Sequence, residues 1–203
     1  PTLAAKTPTL ASVCEGATVS ATFNSGTNGV GCSDVFEYST NGSTWTTYTA
    51  GSSLSTTGIS NGGVLQIRGV RGNCGAGLGC TVNTPTVLAT WTINAAPTTA
   101  VAGSNQTNCN VSAFVMAANT PAIGTGSWTV IGGSATITNA TSPSATITVL
   151  AANTATLQWT ISNGACASSS SQVVLTNNAL PTTAAAGADQ FNCNNTTFTL
   201  AAT

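Results

Sequence analysis

Seven cysteines are the residues of this 203-residue chain with the most versatile chemistry, and no histidine accompanies them. Zinc sites use cysteine pairs about two to four residues apart, often together with histidine. The shortest interval here runs from Cys74 to Cys80 and has no second close pair beside it. The cysteines therefore predict disulfides rather than a metal site, and disulfides persist in oxidising compartments outside the cytosol.

Catalysis would have to rely on four carboxylates, those of Glu15, Asp34, Glu37 and Asp189. Without histidine the chain lacks the commonest general base and any Ser–His or Cys–His nucleophile pair. Only Asp34 and Glu37 are close in sequence, and three positions along an extended segment put them on opposite faces. We therefore predict no catalytic residue, no cofactor site, no metal site and no enzymatic activity.

The scarcity of charge excludes two classes of partner. Charged residues make up 3% of the chain, three basic and four acidic. Three bases cannot neutralise the phosphates that nucleic-acid binding requires, and no segment reaches the ~18 apolar residues of a membrane span. We expect no nucleic-acid partner and no membrane insertion. A net charge of −1 leaves little repulsion between copies, so the expected partners are other copies of the chain or neighbouring repeats.

An internal repeat organises the sequence. PTTAVAGSNQTNCNVSAFVMAANT begins at Pro97, and PTTAAAGADQFNCNNTTFTLAAT begins 84 residues later at Pro181. The match needs no gap and aligns Cys109 with Cys193. Because proline cannot continue the ladder of a central strand, these segments mark the ends of units. The predicted units are 1–95, 96–180 and the incomplete 181–203. The start at Pro1, without Met, leads us to expect a processed product or an excerpt.

Alternation with a period of two predicts β-strands throughout. TATLQWTIS directs Ala155, Leu157, Trp159 and Ile161 to one face and Thr and Gln to the other, and Ala145, Ile147 and Val149 alternate in the same way. Six or seven short strands per unit, separated by turns roughly every 8–12 residues, are typical of a β-sandwich. In the first unit, Asn41–Gly42 is a hairpin signal. The predicted fold is all-β, a tandem of disulfide-bonded immunoglobulin-like β-sandwich domains.

The cysteine spacings predict disulfides within units. Cys109 precedes an early strand and Cys166 follows a late one, and their pairing would contribute about 4 kcal/mol on the chain-entropy model. By position, Cys14 matches Cys109 and Cys74 matches Cys166. We therefore predict Cys109–Cys166 and Cys14–Cys74. This leaves Cys32–Cys80, although four cysteines in one unit allow three connectivities.

Cys193 is the odd cysteine, and its predicted partner lies outside the chain. The segment 181–203 is too short to bury Phe198 and Leu200 by itself. Two interpretations stay open: the chain is an excerpt of a longer tandem array, or it donates this segment to a neighbouring subunit by strand addition.

Aromatic side chains next to turns are the candidate contacts for a sugar. Aromatics at inward positions of alternating strands belong to the core, whereas Trp45 and Tyr48 follow the Asn41–Gly42 turn. We select these two as candidate glycan contacts, which makes surface glycans an alternative partner.

The sequence GTGSWTVIGGSATITNATSPSATITVLAANTATLQWTISNGAC resembles the PKD-like or immunoglobulin-like repeats of giant Bacteroidota surface proteins, and FEYSTNGSTWTTY resembles a companion repeat. The resemblance implies an extracellular, cell-surface location reached by type IX secretion, and a role in adhesion or gliding. It carries over no catalytic residue. The predicted function is a non-catalytic structural or adhesive segment of a secreted surface fibre, and the alternative is a carbohydrate-binding adhesin module.

Overall fold

The computed structural model describes residues 1–26, 32–72, 84–149, 152–191, 193–194, 197 and 199–202. These residues form fifteen β-strands and no α-helix. None of them belongs to a helix that could cross a lipid bilayer. The strands are β1 Thr2–Thr7, β2 Ser12–Cys14, β3 Thr18–Asn24, β4 Ser33–Ser39, β5 Thr46–Thr47, β6 Leu54–Ser55, β7 Val64–Gly72, β8 Thr86–Asn94, β9 Gln106–Cys109, β10 Phe114–Val115, β11 Thr125–Gly133, β12 Thr136–Thr138, β13 Thr146–Thr148, β14 Asn153–Ser162 and β15 Ser169–Asn178.

The strands from β1 to β8 form the first sandwich, residues 2–94. One sheet has the order β1-β3-β6 and the other has the order β2-β8-β7-β4-β5. Strand β2 runs parallel to β8, and the other pairings are antiparallel. The distribution of early, middle and late strands over two facing sheets is that of the immunoglobulin fold.

The strands from β9 to β15 form the second sandwich, residues 106–178. Its sheets have the orders β10-β13-β12 and β11-β14-β15-β9. Strand β9 runs parallel to the last strand, β15, as β2 does to β8 in the first sandwich. The predicted all-β fold of tandem immunoglobulin-like sandwiches is thus confirmed, while the unit boundaries near residues 95 and 180 stay a prediction.

Each sandwich has its own buried core, built by the alternation that the sequence shows. In the second core Ala155, Leu157, Trp159 and Ile161 are buried as predicted. Ala145, Ile147 and Val149 are buried as well. In the first core the paired strands β7 and β8 bury alternate residues. These are Leu65 and Ile67 on β7, and Trp91 and Ile93 on β8.

The predicted hairpin turn at Asn41–Gly42 is present and has a wide connection. Strands β4 and β5 pair from Tyr38 to Thr46. The Asn41 side chain accepts hydrogen bonds from the backbone N–H groups of Ser43 and Thr44 at 2.9 and 2.8 Å. The amide side chain therefore closes the turn, as Asn does in loops where a backbone partner is lacking.

Candidate functional site: the junction between the sandwiches

A disulfide between Cys14 and Cys166 joins the two sandwiches. Cys14 is the last residue of β2, and Cys166 lies in the loop between β14 and β15. The two Cα atoms are 4.8 Å apart although the residues are 152 positions apart in sequence. The bond therefore links the end of the first sandwich to a loop at the facing end of the second.

The loop that carries Cys166 turns tightly against Asn94, the last residue of β8. The Cys166 N–H donates to the Asn163 carbonyl at 3.1 Å, and Gly164 has a φ of +53°. The Ala165 N–H donates to Asn94 Oδ1 at 3.3 Å. A Cβ at residue 164 would overlap the Asn94 amide group. Glycine is thus required twice, for the left-handed backbone and for the close approach.

The side chain of Asn163 forms the second attachment. Its Nδ2 donates to the Ala95 carbonyl at 2.8 Å and to Asn61 Oδ1 at 3.0 Å. Asn61 Oδ1 also accepts from the Ala95 N–H at 3.0 Å. One amide of the second sandwich therefore binds two loops of the first. We call the set Cys14, Asn61, Asn94, Ala95 and 163–166 the junction.

The polypeptide itself is the third attachment, and it is short. Thr98 already belongs to the second sandwich, because its Oγ1 accepts from the N–H groups of Ala122 and Ile123 at 2.9 and 2.8 Å. Only residues 95–97 therefore span the gap. A covalent chain, a disulfide and an amide network hold the sandwiches at separate points, which restricts both bending and twisting.

The predicted disulfides Cys109–Cys166 and Cys14–Cys74 are wrong. Cys109 lies opposite Asn178, at the end of β15, whereas Cys166 precedes the start of β15 at Ser169. The length of β15 places them about 30 Å apart at the strand rise, and a disulfide requires Cα atoms within about 7 Å. Within the second sandwich, Cys109 and Cys166 lie at opposite ends. Cys166 lies at the end that faces the first sandwich, and it therefore bonds Cys14 there.

The remaining cysteines have different outcomes. Cys32 is disulfide-bonded, and its predicted partner Cys80 lies outside the described residues, as does Cys74. Cys109 and Cys193 are free and exposed. The expectation that Cys193 pairs outside the chain stays a prediction. The missed feature was the parallel pairing of an early strand, β2 or β9, with the last strand of its sandwich, which places Cys14 at the same junction as Cys166.

Three of the four acidic residues make structural contacts in the first sandwich. Asp34 and Glu37 form ion pairs across β4 and β7 with Arg71 and Arg68, at 3.2 and 2.7 Å. Glu15 Oε1 accepts from the Gly58 N–H at 3.1 Å. Within the described ranges, no three Cys, Asp or Glu side chains come together as metal ligands would.

The two candidate glycan contacts, Trp45 and Tyr48, have different environments. Tyr48 is 4% exposed, and its hydroxyl accepts from the Ala21 N–H at 2.9 Å. One face of Trp45 is covered by the guanidinium of Arg68, 3.9 Å from the ring centre. Glu37 holds that guanidinium in place. The prediction is therefore wrong for Tyr48, whose ring lies in the core. Trp45 is half-buried, and its role as a glycan contact stays a prediction.

Replacement of Tyr48 by Phe should lower the free energy of unfolding by about 1–3 kcal/mol, since the Ala21 N–H loses its buried acceptor. Tyr38→Phe is the matched control, because the Tyr38 hydroxyl has no hydrogen bond among the described residues. Urea titration monitored by fluorescence measures both changes. Equal losses for the two variants would contradict the assigned role of the Tyr48 hydroxyl.

Comparison with solved structures returns immunoglobulin-like and fibronectin III-like proteins. Fibronectin(III)-like modules of CbhA from Clostridium thermocellum match with a TM-score of 0.38 and 13% identity, over 86% of this chain and 94% of that one. The insect immune protein hemolin matches with a TM-score of 0.32 and 13% identity, over 83% of this chain. The matched region spans 50% of the hemolin chain. At these scores neither likeness carries an argument about function.

Comparison with sequences adds no relative. No protein-family model matches the chain, and no curated protein matches it. The immunoglobulin-like assignment therefore rests on the strand order and the two cores described above, and the function must be argued from the junction.

Proposed function

We propose that the chain is a structural segment of an extracellular surface fibre, in which consecutive sandwiches are locked end to end. The Cys14–Cys166 disulfide is the observation that carries this proposal. A disulfide between neighbouring domains does little for the fold of either one, but it fixes how the two are oriented. Such a bond serves a protein whose task is to hold shape over a distance.

The junction is suited to mechanical load for a second reason. The disulfide closes a loop that contains most of both sandwiches, since its two cysteines are 152 positions apart. Tension applied at the chain ends therefore passes through the sulfur–sulfur bond and leaves the enclosed strands unstretched. The amides of Asn61, Asn94 and Asn163 surround the bond and hold the loop in register.

The chemistry of the chain supports an extracellular location. Disulfides persist outside the reducing cytosol. With 3% charged residues, intersubunit contacts of this protein would depend little on salt concentration. The finer assignment, a repeat of a giant type IX-secreted Bacteroidota surface protein in adhesion or gliding, is supported by the sequence resemblance alone. The absence of a nucleophile–base pair in the sequence supports a non-catalytic role.

Immunogold labelling tests the proposal in the cells that produce the protein. Antibodies against residues 1–180 should decorate thread-like structures on intact cells. Treatment of the cells with a reductant that does not enter the cytosol should make those threads more flexible in electron micrographs. Labelling that appears only after permeabilisation would overturn the extracellular assignment, and threads of unchanged stiffness would overturn the role of the disulfide.

Replacement of Gly164 by Ala should loosen the junction without unfolding either sandwich. The new Cβ would overlap the Asn94 amide, so we expect the Cys14–Cys166 bond to be reduced faster by about tenfold, the change that 1.4 kcal/mol produces. Gly58→Ala is the control, because Gly58 also has a positive φ, +81°, but a Cβ there meets nothing within 4 Å. Alkylation with mass spectrometry after timed reduction gives both rates.

A further inference from the structure

The far end of the second sandwich reproduces the receiving half of the junction. Cys109 is the last residue of β9, as Cys14 is the last residue of β2. In the parallel pairing with the final strand, Cys14 lies opposite Asn94 and Cys109 lies opposite Asn178. The same two residue types thus occupy the same register at the same end of each sandwich.

The backbone around these residues repeats as well. The N–H of Glu15 donates to the Asn94 carbonyl at 2.8 Å, and the N–H of Asn110 donates to the Asn178 carbonyl at 2.8 Å. The chain then continues as NAAPTTA from Asn94 and as NALPTTA from Asn178. Ala179 therefore stands where Ala95 presents its carbonyl to Asn163 in the junction.

Exposure distinguishes the two sites. In the junction Cys14 and Asn94 are partly buried by the loop of the following sandwich. Cys109 and Asn178 are exposed, and the thiol of Cys109 is free. The site at Cys109 and Asn178 thus has the backbone geometry that binds the 163–166 loop at the junction. It also has a free thiol, that of Cys109, at the position where Cys14 forms its disulfide.

The segment after Asn178 repeats local contacts found at the start of the second sandwich. A Cβ on Gly103 would lie 2.9 Å from the Ala117 carbonyl oxygen, and a Cβ on Gly187 would lie 2.8 Å from that of Ala201. Both glycines have a φ above +80°. The segment therefore follows the path of the start of the second sandwich, 84 residues earlier.

Side chains in this segment repeat too. Gln106 Nε2 donates to the Val115 carbonyl, and Gln190 Nε2 donates to the Thr199 carbonyl. Met116 is 2% exposed in its core, whereas its counterpart Leu200 is 87% exposed. Leu200 thus occupies a core position of the 84-residue repeat but is exposed in the described part of the chain.

We propose that Cys109, Asn178 and Ala179 form a second receiving site, which binds an Asn-Gly-x-Cys loop of the sandwich that begins at residue 181. This inference rests on the proposed function. Asn178 would accept the N–H before the loop cysteine, and the Ala179 carbonyl would accept the loop asparagine amide. The occupant belongs to the same polypeptide, because the connection from Asn178 repeats the short connection at the first junction.

The covalent step is an oxidation of two thiols. The Cys109 thiol and the loop thiol lose two protons and two electrons in total, and a sulfur–sulfur bond forms. The electrons pass to the disulfide of a thiol–disulfide exchange protein, which leaves as a dithiol. Cys193 aligns with Cys109 across the 84-residue repeat and is also free and exposed, so it would serve the next junction in the same way.

Non-reducing peptide mapping of the natural protein from its cells tests the inference. Free thiols are alkylated first, and the digest is analysed by mass spectrometry. We expect the peptide of Cys109 joined to an Asn-Gly-x-Cys peptide of the same polypeptide, about 2 Da lighter than the two thiol peptides because two hydrogens are lost. Mixing labelled and unlabelled protein separates a bond within one chain from a bond between copies.

The same digest separates the two proposals. Alkylated Cys109, or Cys109 bonded to a second copy, would overturn the second receiving site if the Cys14–Cys166 peptide is present. Loss of the Cys14–Cys166 peptide itself would overturn the proposed function. A substitution adds a further check: Asn178→Ala should slow the formation of the Cys109 bond, whereas Asn108→Ala, one residue before Cys109 on β9, should not.

Discussion

Stretched between its two ends, the oxidised chain should extend about 550 Å less than the reduced chain. Cys14 and Cys166 are 152 positions apart in sequence, and an extended chain spans at most about 3.6 Å per position. The enclosed length stays hidden until the bond is reduced. Single-molecule force spectroscopy, with handles on both termini and with or without dithiothreitol, measures the difference directly.

The size of the hidden length discriminates between disulfide patterns. Separate Cys14–Cys74 and Cys109–Cys166 bonds would hide about 420 Å and would leave the segment between them free to extend. Cys109→Ser is the control variant, because Cys109 is free and exposed in the structure. It should keep the full difference of the parent chain. A loss of hidden length in this variant would contradict the inter-sandwich bond.

Replacement of Gly126 by Ala should destabilise the second sandwich by about 1–3 kcal/mol or more, the range for overpacking of a core. Gly126 lies in β11 opposite Ile161, and the ring of Trp159 covers it so closely that a Cβ would overlap the indole. Trp159 is fully buried and packs against Trp128 with ring centres 5.2 Å apart. Neither ring can move without opening the core.

Gly132→Ala on the same strand is the matched control. A Cβ at residue 132 would meet Thr156 at 3.5 Å, an ordinary contact. We expect a change within about 0.5 kcal/mol, as for substitutions that create no strain. Thermal and urea unfolding of the three proteins gives the comparison. Equal losses of unfolding free energy for Gly126→Ala and Gly132→Ala would contradict the close packing of Trp159 on Gly126.

The positions of buried and exposed side chains within strands could be predicted from the sequence. The alternation in TATLQWTIS identifies the four residues that β14 buries, because successive side chains of a strand point to opposite faces. The hairpin signal at Asn41–Gly42 identified a turn but not its width, since the amide of Asn41 replaces backbone partners there.

The exposure of residues beside turns could not be predicted. Tyr48 is buried because its hydroxyl reaches Ala21, 27 positions away. One face of Trp45 is covered because β4 and β7 bring Glu37 and Arg68 together and the guanidinium then lies on the ring. Both effects depend on which strands become neighbours, and period-two alternation contains no information about that.

The sequence by itself determined the strands, the two cores and the 84-residue repeat, since these follow from local alternation and from self-similarity. The tertiary structure decided which cysteines meet. Strand directions place Cys109 and Cys166 at opposite ends of one sandwich and bring Cys14 and Cys166 to a common junction. Residue spacing measures distance along the chain, whereas a disulfide requires proximity in space, and only the folded arrangement of the strands relates the two.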